Sequence, residues 1–350
     1  MFDQSPAPTS VPLKVAPQGA PHSALPSRAE SVFSLRAFML KTALLFAGQG
    51  AQVVGMGKDL AAASPDARAW FARANAALGY DLAAICFDGP AAELTKTEHA
   101  QPGIYLASWV AFRLLKARVP GLAFQAAAGL SLGEFTALAA AGALSFEDGL
   151  RLVRQRGLFM QEACDATHGG MAAIIGLDEG PTREVCAEAG VELANLNCPG
   201  QLVISGEAAR IARACELAKA RGAKRALPLA VAGAYHSQLM AGAQPKLAAA
   251  LAAVPLAAPA VPVISNVTAE PHGASAEIRR RLVEQVTSSV RWEASIRYLL
   301  AQGFTRFLEL GPGTALTGFL KRIDKSATIL NVADVASLEA TAQALAAQPT

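Results

Sequence analysis

Charge is scarce in this chain. Only 17% of its 350 residues are Asp, Glu, Lys or Arg, and the formal balance is +3 at pH 7. So weak a charge argues against a nucleic-acid binder, and a hydrophobic content of 52% argues against a disordered chain. Long unbroken apolar runs are missing too. The tract 247–264 is interrupted by Pro255, Pro259 and Pro262, so no stretch reads as a membrane span. Cysteines number five, at Cys86, Cys164, Cys186, Cys198 and Cys215. Their spacing fits no metal site, and an odd set excludes a complete disulfide framework, so they read as reduced thiols of a cytosolic protein. There is no internal repeat. The length suits one large domain, or a core with a smaller one inserted.

The ends of the chain differ in character. Residues 1–40 are punctuated by Pro6, Pro8, Pro12, Pro17, Pro21 and Pro26, carry no periodicity, and are expected to be disordered. Two readings stand: a targeting or linker extension, or a start assigned too far upstream with Met39 as initiator. The second is preferred, because Met39 directly precedes the first strand-like run, 42–47. Beyond it the pattern alternates in the α/β manner. Gln101-Pro102 is expected to open a helix to about Arg118, and Ser145-Phe146-Glu147-Asp148 to cap one running to about Ala163. Between 169 and 231 the order becomes β-α-β-β-α-β, with strands at 171–177, 191–197, 201–205 and 224–230 and helices at 181–189 and 208–220. That is the ferredoxin-like split unit. After it come strand 263–266, helices near 278–286 and 292–301, and strand 306–310.

Function rests first on Gly129-Leu130-Ser131-Leu132-Gly133, placed after the apolar run 126–128 and before a helical stretch at 134–141. This is the G-x-S-x-G pattern of a nucleophile elbow, in which glycines permit a sharp strand-to-helix turn and lift the hydroxyl clear of its neighbours. A nucleophilic serine needs a base, and only five histidines exist. His22 lies in the N-terminal arm. His99, His168 and His272 sit in polar, loop-like surroundings and read as surface residues. His236 lies in the small-residue turn Gly233-Ala234-Tyr235-His236-Ser237, before a helix expected at 238–243, where a loop would return to the active site. It is the candidate base. No Asp stands at a strand end near a motif, so a Ser…Asp…His order is not visible.

Further segments follow in order: Phe46-Ala47-Gly48-Gln49-Gly50-Ala51-Gln52, Arg151-Leu152-Val153-Arg154-Gln155-Arg156-Gly157, Asn197-Cys198-Pro199-Gly200-Gln201 and Glu309-Leu310-Gly311-Pro312-Gly313. Together with the elbow they resemble the malonyl-CoA:acyl-carrier-protein transacylase family across about 41–332. The resemblance implies an α/β fold: an α/β-hydrolase-like core, 41–168 and 232–350, with the ferredoxin-like subdomain, 169–231, inserted. It implies Ser131 as nucleophile, His236 as base, and an oxyanion hole from the main-chain N–H groups of Leu132 and Gln49. On its helix pattern Arg156 reads as solvated, as Arg151 and Arg154 do. The resemblance instead makes Arg156 the group that grips the free malonyl carboxylate, for which a planar guanidinium fork is suited. The main-chain carbonyl at Gln285 would hold the histidine, placing Gln285 with Arg156 on the substrate side, and Asn197 would be a turn residue lining the cleft.

One departure is Leu130, where many relatives carry His before the serine. It leaves fine acyl selectivity open, while Tyr235 beside the base should crowd an α-methyl group and favour malonyl over methylmalonyl. The implied activity is transfer of malonyl from malonyl-CoA to the phosphopantetheine thiol of acyl carrier protein, through a malonyl-serine ester, for fatty acid biosynthesis. The rival readings are a freestanding acyltransferase of a polyketide assembly line and a serine esterase. No metal or bound cofactor is implied, malonyl-CoA being a substrate. A cytoplasmic monomer is expected, with no nucleic-acid or membrane partner. The acidic carrier protein could meet basic stretches at 219–225 or 279–281, which read equally well as solvated helix faces.

Overall fold

A computed structural model describes residues 40–347, so the expectations for residues 1–39 lie outside the described residues. Two sheets organise the chain. The first has five strands in the order β7-β2-β1-β8-β9. These are β1 (Lys41–Phe46), β2 (Ala126–Gly129), β7 (Val263–Ile264), β8 (Phe304–Leu310) and β9 (Thr328–Val332). Every pairing within it is parallel. Parallel strands need covered faces, and β1 explains how this one obtains them. Its residues alternate between two apolar clusters: Leu44 and Phe46 join helices Thr97–Arg118 and Phe146–Asp165, whereas Ala43 and Leu45 join Trp292, Ile296 and Leu299. A strand buried on both faces cannot show polar alternation, which is why it reads as a continuous apolar run.

The second sheet is antiparallel, in the order β4-β5-β3-β6, from β3 (Gly169–Ile175), β4 (Glu192–Cys198), β5 (Gln201–Glu207) and β6 (Arg225–Pro228). Helices Glu179–Ala189 and Ala208–Ala220 pack on it and share an apolar cluster with Ile174, Leu193 and Ile204. This is the ferredoxin-like order read from the sequence. The first strand, expected at 171–177, begins and ends two residues earlier. Gly169 and Gly170 pair with Glu207 and Gly206, so the ladder with β5 overrides weak local propensity.

Other elements differ from expectation. The helix expected to open at Gln101-Pro102 starts at Thr97 and carries Pro102 inside it. Proline there removes only one bond, to a carbonyl of the first turn, which the tight packing of that helix outweighs. The helix expected at 238–243 is a single 3-10 turn, Gln238–Met240, followed by helix Ala243–Ala252. Strand 263–266 shortens to Val263–Ile264, because the Ser265 N–H turns aside to the Glu270 carbonyl. All five cysteines are free and buried. No helix among the described residues is long and apolar enough to cross a membrane.

Candidate active site

The site lies where β1 and β2 end, at the carboxyl edge of the parallel sheet. After β2 the chain bends at Ser131, whose φ is 51°, and re-enters helix Gly133–Ala140. The bend works because the flanking glycines come within contact of main chain. A Cβ on Gly129 would overlap the Gly133 backbone, and one on Gly133 would overlap the Phe46 carbonyl. The left-handed conformation costs a non-glycine residue about 1–3 kcal/mol. His236 shares it, with φ 59°, so both candidate residues sit on strained turns.

These turns bring Ser131 Oγ within 2.8 Å of His236 Nε2. On its far side the imidazole Nδ1 lies 2.9 Å from the Gln285 carbonyl oxygen. A carbonyl only accepts, so Nδ1 carries the proton and Nε2 is left free to accept from the serine hydroxyl. Burial, and then the charge of Arg156, push the His236 pKa down from 6.5 to about 4. The imidazole is therefore neutral at pH 7, the state in which it can accept a proton.

Arg156, 1% exposed, reaches the same centre from helix Phe146–Asp165. Its guanidinium donates to Ser131 Oγ at 3.1 Å, to Gln285 Oε1 at 2.9 Å and to Gln101 Oε1 at 2.7 Å. Burial lowers its pKa to about 10, which still leaves it charged at neutral pH. A desolvated cation with a planar fork is chemically suited to pair with a carboxylate. The solvated alternative is excluded for Arg156. Arg151 is exposed, whereas Arg154 is half-buried over the Tyr80 ring.

A cavity of about 410 Å³ opens over the pair, with Gln49, Leu130, Asn197 and Tyr235 among its walls. Leu132, at the start of the elbow helix, and Gln49, in the loop after β1, have main-chain N–H groups with no protein acceptor among the described residues. The Gln49 side chain is engaged elsewhere, donating to Thr97 and accepting from Gln101. Tyr235 is fixed by a 2.5 Å hydroxyl contact with Thr97. Asn197 lies within β4 rather than in the turn after it, and its Oδ1 is buried without a partner among the described residues. Gln285 is fully buried behind His236 and Arg156 and is not among the cavity walls.

Two histidines differ from expectation. His272 is buried and its Nε2 lies 2.5 Å from Glu134 Oε1, because the strap after β7 folds it under the elbow. His99 is half-buried against Glu93, while His168 is exposed. Sequence reasoning also passed over Asn266, Glu134 and Gln101. Asn266 Oδ1 accepts the Ser131 N–H at 2.6 Å, and its Nδ2 donates to the Gly129 carbonyl, clamping the elbow from outside. Only Glu134 carried a local signal, as the acidic residue directly after the elbow.

Residues 43–344 match the acyl transferase domain family. The chain is 46% identical over 312 residues to the malonyl CoA-acyl carrier protein transacylase of Bacillus subtilis, covering 88% of this chain and 98% of that protein. The chain belongs to this transacylase family. Among solved structures it resembles the malonyl CoA-acyl carrier protein transacylase of Coxiella burnetii, with a TM-score of 0.84, 39% identity, and coverage of 87% of this chain and 97% of that one. It is equally similar, at TM-score 0.84 and 41% identity, to a malonyl-transacylase solved in complex with a type II polyketide acyl-carrier protein, covering 87% of this chain and 99% of that one. This transacylase therefore shares its parallel core and its antiparallel sheet with both.

Proposed function

We propose that the protein moves a malonyl group from malonyl-CoA to the phosphopantetheine thiol of acyl carrier protein, through an ester on Ser131. The observation that carries this reading is the buried Arg156 guanidinium within hydrogen-bond reach of the Ser131 hydroxyl. An esterase elbow needs no such cation, whereas an acyl group ending in a carboxylate does. In the acylation step Arg156 pairs with the malonyl carboxylate and Ser131 Oγ attacks the thioester carbon. His236 Nε2 takes the hydroxyl proton, and the Leu132 and Gln49 N–H groups receive the oxyanion. The tetrahedral adduct collapses, the C–S bond breaks, and His236 returns its proton to the departing CoA thiolate. The carrier thiol then repeats the sequence in reverse, giving ping-pong kinetics. One thioester replaces another, so neither electrons nor water enter the balance.

In this reading Asn197 lines the acyl cleft and Gln285 supports it through His236 and Arg156. The division into a core, 41–168 and 232–350, and an insert, 169–231, is part of the same proposal and is supported by the two sheets. A cytoplasmic location and a monomeric state belong to the same proposal. For carrier docking, the stretch 279–281 is poorly placed: Arg279 donates to the Leu251 and Val254 carbonyls, and Arg281 to the Pro271 carbonyl. Lys219, Lys224 and Arg225 remain exposed and fit an acidic partner better, whereas Arg221 is already paired with Glu188.

Intact mass after brief incubation with malonyl-CoA or acetyl-CoA tests the reading. A malonyl adduct far in excess of the acetyl adduct is expected, and equal labelling would remove Arg156 from its role. The likeness to a polyketide transacylase supports a second context, supply of a polyketide assembly line. Comparing transfer rates to the carrier proteins of the two pathways separates them.

The depressed His236 pKa has a measurable consequence. A base must be unprotonated, so reactivity is retained above its pKa and lost as pH falls through it. Inactivation of Ser131 by an uncharged organophosphonate is expected to stay level from about pH 8 to about pH 5, with a midpoint near 4. A midpoint at the ordinary 6.5 would show that burial does not set the base.

A further inference from the structure

Beneath the elbow lies a polar network that the chemistry above does not use. Glu134, fully buried, follows the elbow directly. Its carboxylate accepts from three sides: His272 Nε2 at 2.5 Å, the Asn266 N–H at 3.2 Å, and Gln285 Nε2 at 2.6 Å. Gln285 Nε2 also donates to the Ser131 carbonyl at 3.0 Å, and its Oε1 accepts from Arg156 at 2.9 Å. An amide can be turned either way, and its surroundings decide which. Carboxylate oxygens only accept, as does the Ser131 carbonyl, so both demand the NH2 end of Gln285. That leaves Oε1 facing the guanidinium. Reversed, the amide would set its NH2 against the N–H donors of Arg156, and its oxygen against the Glu134 carboxylate and the Ser131 carbonyl.

We propose that Glu134 is a positioning residue for acyl selectivity: its buried carboxylate holds the Gln285 amide in the orientation that presents Oε1 to Arg156, and so keeps the guanidinium aimed at the acyl group on Ser131. The inference rests on the reading that Arg156 grips a carboxylate. It adds a second tier to that site, in which His272 and Asn266 secure Glu134, Glu134 orients Gln285, and Gln285 aims Arg156. Glu134 contributes its charge as well, being the largest influence that raises the Arg156 pKa against burial. Gln101 holds only the other guanidinium nitrogen, Nη1. Without Glu134, only the weaker hold of the Ser131 carbonyl keeps Gln285 Oε1 turned toward Nη2, the guanidinium nitrogen nearest Ser131.

The test is Glu134→Gln, which conserves volume but offers Gln285 either an oxygen or an NH2. The readout is kcat/KM for malonyl-CoA divided by that for acetyl-CoA in the same variant, so a general loss of fold or of serine reactivity cancels. The ratio is expected to fall about tenfold or more, chiefly through a higher KM for malonyl-CoA. Gln285→Met keeps the main-chain carbonyl on His236 but removes the amide, and is expected to give a similar ratio. The double variant should lose little beyond either single one, because both break the same link. A wild-type ratio in folded Glu134→Gln, or losses that add in the double variant, would overturn the proposal. If Glu134→Gln does not fold, His272→Gln loosens the same carboxylate and should move the ratio in the same direction; an unchanged ratio there overturns it equally. A wild-type enzyme with no malonyl preference would instead overturn the reading of Arg156.

Discussion

Ser131→Ala is expected to abolish the malonyl adduct and lower kcat/KM for transfer by about 10⁵-fold or more, the scale seen when a covalent nucleophile is removed. The fold should survive. The Ser131 N–H bond to Asn266 belongs to the main chain and remains, and alanine tolerates φ 51° no worse than serine does. Oγ is what is lost, together with its bonds to His236 and Arg156. Neither partner is stranded, since His236 keeps the Gln285 carbonyl and Arg156 keeps Gln101 and Gln285. A melting curve close to wild type combined with absence of adduct by intact mass is the expected pair of results. An adduct persisting in the alanine variant would place the nucleophile elsewhere.

Arg156→Ala should separate substrates rather than silence the enzyme. Truncating one member of a desolvated charge pair costs about 2–5 kcal/mol, so kcat/KM for malonyl-CoA is expected to fall about 30- to 4,000-fold. Acetyl-CoA has no carboxylate to lose, and its acylation should fall far less. A second effect travels with the first. The Arg156 charge is one of the causes that hold the His236 pKa down, so its removal should move the midpoint of phosphonate inactivation upward from about 4. Parallel kinetics with the two acyl-CoA substrates, and one pH series, check both. Equal losses for malonyl and acetyl would mean that Arg156 supports the fold and not the carboxylate.

How much of this was legible depends on how local each signal was. The elbow could be read because its requirements are local: a strand, small residues where main chains touch, and a helix start within five residues. The βαββαβ rhythm could be read because each element is short and bounded by glycine or proline. His236 could be singled out only by elimination among scarce histidines. His272 was misread because its polar neighbours in sequence say nothing about Glu134, which lies 138 residues away along the chain. Pro102 was misread as a helix start because the packing that tolerates it inside helix Thr97–Arg118 comes from other parts of the chain.

The sequence by itself determined the covalent inventory and its local geometry. It specified a serine that must sit on a strained turn between glycines, a single well-placed histidine, an arginine on the following helix, and a hydrophobic content able to build two sheets. Tertiary structure decided charge state and aim. A buried polar group is governed by what surrounds it, and those neighbours arrive from distant segments: Gln285 to fix the imidazole tautomer, Gln101 and Gln285 to hold the guanidinium, and Glu134 with His272 and Asn266 to hold Gln285. Desolvation then lowers the His236 and Arg156 pKa values, leaving a neutral imidazole beside a charged guanidinium in one pocket. Periodicity and motif describe neighbours along the chain, whereas burial and hydrogen bonding depend on neighbours in space.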